Sequence, residues 1–453
     1  MQDAEAIELE NLAQSLVERA RRAGMQVAEV TARQGYDLSV RVRLGQPELV
    51  EEAGHRGVTL RVMRDQRVAL SSTSDLTPEG LDRLVSDAVE LVDLCEADPF
   101  AGPADPEDLC HAPHPDLDLY DATVAEIRGA QALQIATEAE RVALASDPRL
   151  TLSEGATFSR STGLSAMVLS GGFSGVQRGS YASLSVAPVV EDEGGKKRRG
   201  YYWTASRHAS GLETAEAVGK EAARRTLRKL GARKVPTGEA AVVFDPDVAR
   251  SLLGSFAGCI LGGSIWRKSS YLVEREGTPV ASPLVTIVDD PLIPGAPGSR
   301  AYDGEGLRSV RQVVVERGVL KTFLLDSYSG RKLKRKSTAS AARSGGVGPS
   351  TSNLLLQAGP LSPAQLIKET GTGLYVTEMM GFGFNALTGD FSRGAAGFWI
   401  ENGELAFPVS EVTISSNLDT MLKGIDALAD DLVLRTSTAA PTLRVQRMTI
   451  SGT

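Results

Sequence analysis

Apolar residues recur at helical spacing from Ala4 to Ala23, and then the period changes. Across Met25–Ala32, Tyr36–Leu44 and Val58–Met63, apolar and polar residues alternate as in half-buried strands. Thr77-Pro78 starts a second helix, because threonine can accept from a free helix N–H and proline fits the first helical position. Leu81, Leu84, Val85, Ala88, Val92 and Cys95 share one face of it, which makes Cys95 a core position. Asp98 to Pro106 is dense in helix breakers, and irregular character continues to about Asp121. A first segment, 1–103, ends there.

The second segment, 104–234, is predicted to open with a helix from Val124 to Ala145. Alternating strands follow from Leu150 to His208, turning at Gly171-Gly172 and Gly194-Gly195, and a helix from Leu212 to Leu230 closes it. Glu191 to Arg199 reads as a hairpin tip whose acidic and basic arms face each other. The third segment, 235–453, is strand-rich. A strand from Ala240 to Phe244 runs into Asp245-Pro246, a helix start whose apolar stripe is Val248, Leu252, Leu253 and Phe256. Strands are expected at Leu284–Val288, Val310–Glu316 and Val319–Leu324, and a hairpin joins Gly397–Ile400 to Leu405–Val409 through Asn402-Gly403. Leu418–Leu428 is predicted as a helix and Leu443–Ile450 as the last strand. The fold class is α+β in three parts: an N-terminal α/β domain, a middle domain of helices and antiparallel sheet, and a strand-rich C-terminal domain.

Composition adds limits. At 453 residues the length suggests about three domains. A hydrophobic share of 42% with 23% charged residues suits a globular protein with a sizeable core. The net charge of -8 argues against a dedicated nucleic-acid binder. No apolar run approaches the roughly 18 residues of a membrane span, and the acidic start carries no secretory pattern. Cys95, Cys110 and Cys259 form no CxxC pair, so a reducing cytoplasm is expected.

Catalytic zinc takes three protein ligands from His, Cys, Asp or Glu. The histidines are His55, His111, His114 and His208, with no close pair on a predicted helix. His111 and His114 lie in the Pro-rich stretch, as a solvated loop or a weak metal pair. No Gly-x-Ser-x-Gly elbow occurs in a strand–turn–helix setting, and Gly371-x-Gly373 and Gly381-x-Gly383 read as turns rather than nucleotide loops. The basic runs 196–199 and 331–336 are solvated loops by default. The second could instead line a chamber and attract acidic peptides.

Five stretches carry a resemblance. They are Gly57 to Val62; Asp289-Asp290-Pro291; Tyr302-Asp303-Gly304-Glu305-Gly306; Ser337 to Arg343; and Thr388-Gly389-Asp390-Phe391-Ser392 with Gly397-Phe398-Trp399-Ile400-Glu401-Asn402-Gly403-Glu404. Together they resemble the TldD/PmbA family, over nearly the whole chain. The resemblance implies a cytoplasmic protease system of two related subunits acting on unfolded peptides, including precursors of peptide antibiotics. In that family the TldD subunit holds zinc through a His-Glu-x-x-x-His helix and a C-terminal cysteine, while the TldE (PmbA) branch keeps the fold without those ligands. Here Gly254, Ser255 and Cys259 occupy the motif positions, and Thr436 to Pro441 contains no cysteine. The expectation is a TldE-like subunit with no cofactor of its own, no catalytic residue and zinc in a TldD-like catalytic partner. A self-sufficient peptidase homodimer and a binding protein linked to DNA gyrase remain the alternatives. Asp303, Glu305, Arg343, Asp390 and Trp399 read either as turn and interface anchors or as docking points for a substrate strand. The third segment is expected to supply the main subunit interface.

Overall fold

The structure, a computed structural model, describes residues 4–452; Met1 to Asp3 and Thr453 lie outside the described residues. α1 (Ala4–Arg22) leads into β1 (Val27–Arg43), β2 (Gln46–Arg64), β3 (Arg67–Thr73) and α2 (Pro78–Leu94). After the irregular stretch come α3 (Ala122–Glu126), α4 (Gly129–Ala145), β4 (Leu152–Leu169), β5 (Phe173–Glu191), β6 (Lys197–Arg199), β7 (Tyr202–Ser206) and α5 (Ala215–Leu227). Among the described residues these strands form one seven-stranded sheet in the order β3-β2-β1-β4-β5-β6, with β7 also on β5. The ladder between β1 and β4 runs antiparallel from Glu29↔Leu169 to Val42↔Ala156. One sheet therefore spans residues on both sides of position 103.

The strand period explains its layering. Even-numbered positions of β1 are buried at both ends of the strand, from Ala28 to Ala32 and from Leu38 to Val42, while Tyr36 between them is exposed. Ala28, Val30 and Ala32 pack under α1 and α2, whereas Leu38, Val40 and Val42 pack under α4 and α5. Odd positions of β4, Met167 and Leu169, reach the opposite face and meet Leu109, Leu117, Tyr302 and Leu307. The C-terminal half thus packs on the face that the helices leave free.

That half begins with β8 (Gly238–Phe244), α6 (Pro246–Ile260), α7 (Gly262–Trp266), β9 (Ile287–Asp289), β10 (Gln312–Glu316), β11 (Val319–Leu320) and α8 (Ser327–Lys332). It continues through β12 (Ala341–Arg343), β13 (Val347–Pro349), β14 (Leu354–Leu356), α9 (Pro363–Thr370), β15 (Gly373–Met380), β16 (Asp390–Glu401) and β17 (Glu404–Asn417). The last elements are α10 (Leu418–Lys423), β18 (Ile425–Leu428), β19 (Thr438–Ala439) and β20 (Leu443–Ser451). Strand order is β17-β16-β15-β8-β20-β18, and β17 also pairs β20, which closes the first five into a ring. A smaller sheet, β11-β10-β9-β14-β19, lies beside it.

Several elements differ from their predicted extents, each for a local reason. The strands expected at Met25–Ala32 and Tyr36–Leu44 are one strand, because Gln34-Gly35 keeps its ladder with β2 and β4. The helix expected from Val124 breaks at Ile127, whose carbonyl accepts from the buried Arg160 Nε at 2.9 Å. The helix expected to reach Leu428 stops at Lys423, and Ile425–Leu428 pairs with β20 instead.

Candidate functional site

α6 starts as its sequence dictates: Asp245 caps it, accepting from the Asp247 N–H at 3.0 Å, and Pro246 takes the first position. Val248, Leu252, Leu253, Phe256 and Cys259 are buried. Gly254 and Gly258 lie on the exposed side, where an added Cβ would meet nothing within 4 Å. Ser255 Oγ donates to the Ser251 carbonyl at 3.2 Å, and Cys259 Sγ donates to the Ser255 carbonyl at 3.4 Å. Burial pushes the Cys259 thiol up to about 11, so it is a neutral thiol at neutral pH and a poor nucleophile. Gly254 and Ser255 offer no imidazole or carboxylate, and among the described residues no three of His, Cys, Asp and Glu converge to hold a metal. The residues present do not fit a catalytic zinc.

Asp303, Glu305 and Arg343 come together, in a buried network rather than an open cleft. Asp303 accepts from the backbone N–H groups of Glu305, Leu307 and Ala341 at 2.9, 3.0 and 3.0 Å. Glu305 accepts from the Ser327 N–H at 2.8 Å and its hydroxyl at 2.7 Å; burial, then the Asp303 charge, lift its carboxyl to about 7. Arg343 donates to the Gly304 carbonyl and to Glu29 Oε2 at 2.6 Å, which Arg61 also reaches at 3.0 Å. This bolts β12 to the N-terminal sheet.

Asp390 and Trp399 lie apart from that network. Asp390 is exposed and accepts from Thr388 Oγ1 at 2.7 Å and Asn417 Nδ2 at 3.3 Å, contacts that hold its carboxyl below the usual range. Trp399 sits in β16 between Leu374 and Phe407. Its neighbour Gly397 is required sterically: an added Cβ would stand 1.8 Å from the Tyr375 carbonyl. His111 is exposed, whereas His114 faces inward, its Nδ1 3.5 Å from Cys110 Sγ and its ring 4.9 Å from that of Tyr302.

Much of the two basic runs is held in ion pairs and clamps. Arg331 donates to the carbonyls of Phe100, Gly102 and Pro103 at 2.7, 2.9 and 3.1 Å, and Lys332 stands 4.2 Å from the Phe100 ring centre. The start of this run pins the Pro-rich stretch, while Lys334, Arg335 and Lys336 are exposed beyond α8. Lys196 pairs with Glu411 at 2.6 Å and Arg198 with Asp192 at 2.6 Å, the second across the predicted hairpin tip.

Sequence reading passed over the seam between α5 and the C-terminal ring. There Tyr375 Oη donates to Asp245 Oδ2 at 3.1 Å, and burial pushes the Asp245 carboxyl up to about 6. Arg225 and Arg228 stack on Tyr202 and Phe398, at 4.7 and 4.3 Å from the ring centres. The available signal was the pair of doublets Arg224-Arg225 and Arg228-Lys229 at the end of a helix.

This three-part fold, with α6 following β8, is a metallopeptidase architecture. Three models of the PmbA/TldA metallopeptidase family match it: domain 1 over 28–92, the central domain over 122–230 and the C-terminal domain over 237–452. The chain belongs to the PmbA/TldD metallopeptidase family. It is 38% identical to Metalloprotease PmbA of Escherichia coli O157:H7 over 94% of this chain and 92% of that one. Identity to the Metalloprotease PmbA homolog of Haemophilus influenzae is 37%, over 99% and 97%. Among solved structures, a candidate modulator of DNA gyrase from Bacteroides thetaiotaomicron matches with a TM-score of 0.93, 28% identity and full coverage of both chains. TldE from Thermococcus kodakarensis matches in fold with a TM-score of 0.87 at 19% identity, over 97% and 100% of the two chains. No described helix is long and apolar enough to cross a membrane.

Proposed function

We propose that this chain is the non-catalytic, TldE-like subunit of a two-subunit peptidase. It shapes the chamber and guides unfolded peptides, peptide-antibiotic precursors among them, to a TldD-like partner that supplies the zinc. The observation that carries this reading is α6. Its motif positions hold Gly254, Ser255 and Cys259, the first two giving no zinc ligand and the third a buried thiol committed to a backbone carbonyl. A helix with no free zinc ligand at those positions suits a scaffold role better than a second catalytic centre. Co-expression with a TldD-like subunit tests the partnership. The proposal expects a stoichiometric complex on size-exclusion chromatography; two separately eluting proteins under every salt condition would refute it. The likeness to a candidate gyrase modulator favours one rival reading, a gyrase-binding protein, which predicts capture of purified gyrase without any peptidase partner.

A further inference from the structure

Three adjoining cavities run along the seam between α5 and the C-terminal ring. Their volumes are about 230, 180 and 290 Å³. Arg225, Asp245 and Tyr375 line both the first and second; Lys229, Thr377 and Glu378 line both the second and third. The three are therefore one elongated trough, shaped for an extended ligand rather than a compact ion. Among the described residues its walls carry nine Arg and Lys against five Asp and Glu, in a chain whose net charge is -8.

Some of those cations are already satisfied: Arg224 and Arg225 by Glu221, Arg435 by Glu213, and Lys229 by Glu378. Arg228 is not: among the described residues it forms no ion pair, and its guanidinium lies over Phe398 at 4.3 Å. Stacking fixes the plane of a guanidinium while its N–H edge stays free for a carboxylate. β15 also carries a bulge between Val376 and Glu378 that takes Thr377 out of the ladder and turns that position toward the trough.

We infer that this trough binds an extended acidic peptide segment, with Arg228 taking a carboxylate of the ligand at its centre. The inference rests on the peptide-handling reading above and names the chemistry of the segment handled. Carboxylates from glutamate or aspartate side chains and free inorganic anions share that chemistry, and the length of the trough favours the peptide.

Fluorescence anisotropy on the full chain alone tests it, using a short fluorescein-labelled glutamate-rich peptide and its glutamine counterpart. The expected result is about tenfold tighter binding of the glutamate peptide, weakening as salt is raised. Arg228→Gln should abolish that preference, Arg228→Lys should keep part of it, and Arg224→Gln at its exposed position should reduce it. Equal binding of the two peptides would overturn the inference. So would unchanged binding by variants whose melting curves match the parent, or displacement of the peptide by low concentrations of inorganic phosphate. Because no partner is present, this outcome is separate from the partnership: a chain that ignores acidic peptides yet assembles with a TldD-like subunit loses only the trough assignment.

Discussion

Glu29 and Glu305 show opposite fates for a buried carboxylate. Burial opposes the charge of Glu29, yet Arg61 and Arg343 outweigh it and hold the group below its ordinary value. Glu29 joins residues far apart in the chain, so replacing it leaves two guanidinium groups facing an uncharged side chain. Glu29→Gln should cost about 3 kcal/mol or more in denaturant unfolding. A loss under about 1 kcal/mol would show that the pair contributes no more than a surface ion pair. Glu305 lies the other way, lifted from an ordinary 4.5 to about 7 by burial and by Asp303. A carboxyl raised in the folded state binds more protons folded than unfolded across that interval. Its contribution is complete below about 4.5 and is lost as the pH rises through about 7. Glu305→Gln should therefore flatten the fall in melting temperature between acidic and mildly alkaline buffer. An unchanged pH profile would contradict the assignment.

At the scale of elements, α6 makes the sharpest prediction. Gly254 and Gly258 are helical, exposed and free of neighbours within 4 Å of an added Cβ. Gly254→Ala and Gly258→Ala should each stabilise the lone chain by about 0.5–1 kcal/mol through helix propensity. If destabilisation were measured instead, that side of the helix would be covered rather than open. The start and buried face of α6 were legible because its cap, its proline and its apolar stripe all agree. The resemblance likewise singled out Asp303, Glu305 and Arg343, but sequence left their role open between anchor and docking point, since burial depends on what packs from elsewhere. The broken helix at Ile127 was illegible for the same reason: the competing donor, Arg160, arrives from β4. Leu418–Leu428 misled because its apolar spacing suits a helix, whereas β20 offers Ile425–Leu428 a ladder that local pattern does not reveal. The seam was missed because its lining comes from segments scattered from Lys197 to Ala440.

Across the whole molecule, one antiparallel sheet carries helices on one face and the C-terminal half on the other, and side chains from distant segments lock them. Arg331 holds three carbonyls of the stretch between α2 and α3. Arg331→Ala should expose that stretch, giving faster proteolytic nicking between residues 98 and 106 without global unfolding; an unchanged digestion pattern would show the clamp to be dispensable. On the proposed reading this architecture serves peptide cleavage without performing it. Metal content and cleavage of an unfolded peptide, measured on the purified chain alone and on the chain co-purified with a TldD-like subunit, test that claim most directly. The account predicts a zinc-free, inert lone chain and a zinc-containing, active pair. Stoichiometric metal or cleavage by the lone chain would contradict it.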